Sequence, residues 1–95
     1  MAVATEDLRG ERRNKVFLLG KVTQDRRSVR VHILNISTSG ALIHSPDRLN
    51  IDNDVTLQIA DTVCPGRIAW SNADRFGLEF EKRLSNATIK EVVPM

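Results

Sequence analysis

From Val16 onward the chain is a succession of short apolar runs, each bounded by Gly, Pro, Asn, Asp or Ser, which is the texture of strands separated by turns. The runs fall at roughly 16–23, 28–36, 40–45, 54–60, 62–70 and 75–81. Several alternate with a period of two. Val29, Val31 and Ile33 share one side with Arg30 and His32 opposite; Val55, Leu57 and Ile59 alternate with Thr56 and Gln58; Phe76, Leu78 and Phe80 alternate with Gly77 and Glu79. Such strands have one buried face. Turn-forming residues occupy the gaps at Asp25-Arg26-Arg27, Ser45-Pro46-Asp47, Asp52-Asn53-Asp54 and Ser71-Asn72-Ala73-Asp74, and the 60–62 gap is short enough for a hairpin.

Gaps this short leave no room for the crossovers that parallel pairing needs, so the pattern predicts an all-β antiparallel barrel or sandwich. Beyond the sixth run, Ser85 is placed to cap a short helix whose apolar stripe is Leu84, Ile89 and Val92, ended by Pro94. Positions 1–14 have few large apolar residues and carry Arg9-Gly10-Glu11-Arg12-Arg13-Asn14. They are expected to form a flexible basic arm outside a barrel at 15–95.

Length changes the picture only by limiting it: 95 residues make one small domain with one modest core. No apolar run reaches the ~18 residues that cross a bilayer, and the first residues lack the pattern of a signal peptide. With a lone Cys64, which excludes an intrachain disulfide, these features predict a cytoplasmic protein that does not insert into a membrane. Net charge is +2, but positions 1–30 hold eight Lys or Arg and four acidic residues, against six and eight in the rest. A local basic cluster on a nearly neutral chain suits a small anion better than a long polyanion.

Two constellations carry candidate chemistry. Arg9 and Arg13 lie four positions apart, with Arg12 the next candidate; a guanidinium can donate two parallel hydrogen bonds to a phosphate or a guanine edge and can stack on a purine. The second is Asn35-Ile36-Ser37-Thr38-Ser39-Gly40, between the second and third runs. If extended geometry persists to Ser37, Asn35 and Ser37 present an amide and a hydroxyl on one face, and Gly40 allows a tight turn or close approach. His32, His44 and Cys64 show no metal-ligand spacing, and no nucleophile-base pair, carboxylate pair or Gly-rich phosphate loop stands out, so neither a metal site nor an enzyme is expected.

Together the two constellations resemble the paired signatures of the PilZ family, Arg-x-x-x-Arg followed by Asp or Asn-x-Ser-x-x-Gly. The resemblance extends through Val16-Phe17-Leu18-Leu19-Gly20-Lys21-Val22, similar to that family's first strand, and through Trp70 with Phe76-Gly77-Leu78-Glu79-Phe80, similar to its closing strand. It implies a six-stranded antiparallel β-barrel whose N-terminal arm orders over cyclic di-GMP on the outer surface and signals to an effector protein. By position, Arg9 and Arg13 would meet phosphates and guanines, Asn35 and Ser37 would hydrogen-bond a guanine, and Gly40 would keep the surface open; no cofactor is implied. The alternatives are a barrel of the same family that serves as an adaptor without binding nucleotide, and a small barrel that binds single-stranded nucleic acid. Three Phe, one Trp and no Tyr make a poor stacking platform for the last.

Overall fold

A computed structural model describes residues 14–46, 49 and 54–93. Six antiparallel strands, β1 (Asn14–Gln24), β2 (Arg27–Ile36), β3 (Gly40–His44), β4 (Asp54–Ile59), β5 (Thr62–Asn72) and β6 (Arg75–Phe80), form a closed barrel in the order β1-β2-β3-β6-β5-β4. The alternating runs left barrel or sandwich open, and this is the barrel that the PilZ resemblance implies. The first strand begins earlier than its apolar run, because Asn14 and Lys15 pair with Ile36 and Asn35 of β2. Asn14 therefore belongs to the barrel and not to the arm. Arg9, Arg12 and Arg13, with the rest of the 1–13 segment, lie outside the described residues.

Period-two burial builds the core. Val29, Val31 and Ile33 of β2, Val55, Leu57 and Ile59 of β4, Cys64 and Ile68 of β5, and Phe76, Leu78 and Phe80 of β6 all point inward and are nearly inaccessible. Burial raises the Cys64 thiol above its ordinary pKa, so it stays protonated in the apolar interior and is unsuited to metal binding or nucleophilic work.

Three of the connections are two-residue turns, and in each the first residue takes a positive φ: Asp25 at 57°, Ala60 at 53° and Ala73 at 57°. After β6 the chain crosses the barrel mouth and forms α1 (Asn86–Val92). The Ser85 hydroxyl accepts from the Thr88 backbone N–H at 3.0 Å, satisfying an otherwise free donor of the first turn. Ile89 and Val92 are buried, and the half-buried Leu84 packs against the same core, so the predicted stripe closes one end of the barrel.

Candidate ligand-binding face

Strict alternation would send Asn35 and Trp70 inward. Asn35 continues the set Val29, Val31, Ile33, and Trp70 continues Cys64, Gly66, Ile68, all buried. Each strand is interrupted just before the residue in question. Ile33 pairs with Ile43 and Asn35 with Leu42, so Leu34 is an extra residue opposite β3; Ile68 pairs with Leu78 and Trp70 with Gly77, so Ala69 is extra opposite β6. A bulge of one residue reverses the inward-outward phase of the strand beyond it and re-aims its side chains. Ile36, with no exposure, takes over the inward position in β2, and Trp70 emerges with 47% of its surface accessible.

The two re-aimed residues fall on one line. Lys15 pairs with Asn35, Asn35 with Leu42, Leu42 with Gly77 and Gly77 with Trp70, giving a transverse row across the outer wall of β1, β2, β3, β6 and β5. Four interstrand spacings of ~4.8 Å make it at most about 19 Å long. The indole occupies the space above Gly77: a Cβ there would meet the Trp70 ring. The row thus offers a cation, an amide, an aliphatic side chain and an aromatic plane in sequence.

The signature loop borders this row, but not as its spacing suggests. Extended geometry ends at Ile36, so Asn35 and Ser37 do not share a strand face. Asn35 is half-buried on β2, whereas Ser37 has only 1% of its surface exposed. The Ser37 hydroxyl donates to the Gly40 carbonyl at 3.4 Å and accepts from the Ser39 N–H at 3.3 Å, while the Ser37 N–H donates to the Gly40 carbonyl at 2.8 Å. Ser37 therefore shapes the loop from within.

Gly40 is buried too, and the reason is the neighbouring strand: a Cβ there would run into the Leu78 carbonyl oxygen of β6. Because the obstacle is backbone, Gly40→Ala is expected to destabilise the domain by about 1 to 3 kcal/mol, the usual range for overpacking. Urea unfolding followed by far-ultraviolet circular dichroism measures it; an unchanged midpoint would show that the strands part without cost.

A residue that sequence reasoning passed over completes the setting. The Arg83 guanidinium donates to the Thr38 hydroxyl at 3.2 Å, and the Leu84 N–H donates to the Thr38 carbonyl at 2.8 Å, so the segment after β6 clasps the loop. Lys82-Arg83 just past the closing strand was the only signal, and nothing local links it to a loop 45 positions earlier. At the start of β1, the Asn14 side-chain amide donates to the Ile36 carbonyl at 3.3 Å, which sets Asn14 beside the signature loop.

A cleft of about 620 Å³ opens beside Glu79, the cross-strand partner of Gly40, and among its described lining residues are Asp25, Asp54, Glu79 and Glu81 with Arg67. Four carboxylates around one guanidinium repel an anion, so this concavity is a poor seat for a phosphodiester. No group of His, Cys, Asp or Glu suited to a metal ion occurs among the described residues, and no helix among them is long and apolar enough to cross a membrane.

The whole is a closed six-stranded antiparallel barrel with a C-terminal helix packed on its core and a polar loop beside a bulge-built outer row. The chain belongs to the PilZ family: the family's sequence model, described as PilZ domain, matches residues 7–94, which is essentially the whole chain. PilZ domains are binding and adaptor domains, and reception of cyclic di-GMP is their usual function. No curated protein matches the sequence.

Proposed function

We propose that this protein is a cyclic di-GMP receptor of the bacterial cytoplasm, acting by binding and without metal, cofactor or catalysis. The ligand lies on the outer row, and the basic arm that precedes Asn14 orders over it and alters what the domain offers to an effector protein. Arg9 and Arg13, with Arg12 beside them, supply the charge-assisted bonds and stacking that a dianion with two guanines requires. Asn35 hydrogen-bonds a guanine edge, and Ser37 and Gly40 serve by holding the loop in shape.

The observation that supports this reading best is the pair of bulges that turn Asn35 and Trp70 onto a common outer row, beside the point where the arm joins the barrel. Covalent geometry makes the arm competent. Arg13 is one peptide bond from Asn14, and five residues of extended chain span at most about 18 Å, so Arg9 can reach across most of the row. Ordering of the arm is then a population shift driven by the differential affinity of the ligand for the closed state.

Trp70 is the lone tryptophan and reports on the row directly. Addition of cyclic di-GMP is expected to change its fluorescence saturably, whereas GTP at the same concentration leaves it nearly constant. An unaltered spectrum at saturating ligand would remove the nucleotide from this wall.

A further inference from the structure

The wall adjoining the proposed ligand row carries features that nucleotide binding does not use. On β1, Phe17 and Leu19 leave 72% and 63% of their surface exposed. Phe17 stacks on His32 of β2 with ring centroids 4.6 Å apart and planes 15° from parallel, and Leu19 is the direct cross-strand partner of the same histidine. Two positions further along β1, Lys21 stands directly opposite Arg30. Among the described residues neither makes an ion pair or side-chain hydrogen bond. Like charges directly opposite on an exposed antiparallel pair destabilise it. The carboxylate at the far side of the face, Asp74, is engaged by His44 at 3.0 Å.

An exposed apolar pair beside an uncompensated double cation is a local conflict within the free domain, and a partner that covers the first and neutralises the second removes it. We infer that the outer face of β1 and β2, centred on Phe17, Leu19 and His32 and flanked by Lys21 and Arg30, docks a protein surface that presents aliphatic side chains rimmed by Asp or Glu. An aromatic anchor with arginine at its edge has the composition of a protein interface. Nucleic acid fits less well, because a track for single strands needs successive free rings, and the Phe17 ring has one face covered by His32. A bilayer fits less well because the patch is a strand wall and not an amphipathic helix. The inference gives a surface to the effector invoked above, and its test omits nucleotide so that the two readings fail separately.

The test is a titration of the isotope-labelled full chain with a synthetic peptide of alternating glutamate and leucine, followed by amide NMR. Oligouridine RNA and phosphatidylglycerol vesicles serve as competing probes. Peptide-induced shifts are expected at Phe17, Leu19, Lys21, Arg30 and His32. They should weaken at least tenfold in F17S/L19S and in Lys21→Glu. Both variants should stay folded, the former because its side chains are exposed and the latter with a melting temperature at or above that of the parent, since the new carboxylate faces Arg30 favourably. Unchanged affinity in either folded variant, shifts elsewhere, no shifts at millimolar peptide, or stronger response of these residues to RNA or vesicles would each overturn the assignment.

Discussion

Phe80→Ala is expected to lower the stability of the domain by about 3 to 5 kcal/mol, the usual loss for a large buried ring replaced by a methyl group. Phe80 is 7% exposed at the end of the closing strand and packs in the same core as Phe76 and Leu78. Its backbone N–H also donates to the Ser39 carbonyl at 2.8 Å, so its packing and the signature loop are joined. A domain of this size has a total stability of only roughly 5 to 15 kcal/mol. The variant should therefore unfold at much lower urea and lose the loop geometry together with the core. A midpoint within the error of the parent would show that the ring is not packed as described.

The second large effect falls on binding and spares the fold. Arg9→Ala or Arg13→Ala is expected to weaken cyclic di-GMP binding roughly ten- to hundredfold, the equivalent of about 1.5 to 3 kcal/mol for one lost charge-assisted contact. The melting temperature should stay that of the parent, because the sequence reading puts both residues in the arm ahead of Asn14, the first residue of β1. The contrast between the two substitutions separates the frame from the site: Phe80→Ala moves stability first, and the arginine variants move affinity alone. Equal affinity in both arginine variants would take the arm out of the binding reaction.

The strands were legible because half-buried strands declare themselves by alternation, while the choice of a barrel over a sandwich came from the PilZ resemblance. Val29, Val31 and Ile33, Val55, Leu57 and Ile59, and Phe76, Leu78 and Phe80 are inward residues read without any long-range knowledge. Ser85 and the Leu84, Ile89, Val92 stripe likewise announced the helix. The candidate site was legible as a spaced motif but not as a geometry. Asn35 and Trp70 owe their outward aim to Leu34 and Ala69, ordinary strand residues with no local mark of a bulge, and the sole trace is the odd spacing from Ile33 to Ile36. The reason for Gly40 was equally remote, since it lies in the carbonyl of Leu78 on a strand whose pairing with β3 emerges only from the topology. Ser37 turned out to be an internal tie of its loop because the strand stops one residue short of it.

These particulars give the motif a physical division of labour. Two signature residues, Ser37 and Gly40, hold the loop, while the bulges, invisible to spacing, bring the third, Asn35, and the Trp70 indole to one row of the wall. The acidic cleft begins at Glu79, the cross-strand partner of Gly40, and its carboxylates leave the row as the more favourable surface for an anion.

The most direct test is isothermal titration calorimetry of the purified full chain with cyclic di-GMP, with GTP and a short RNA as controls. Saturable, selective binding at low micromolar concentration or below, with neither control competing, is the predicted result. A folded protein that gives no heat at high ligand concentration would contradict the receptor reading and make the domain an adaptor that works without nucleotide.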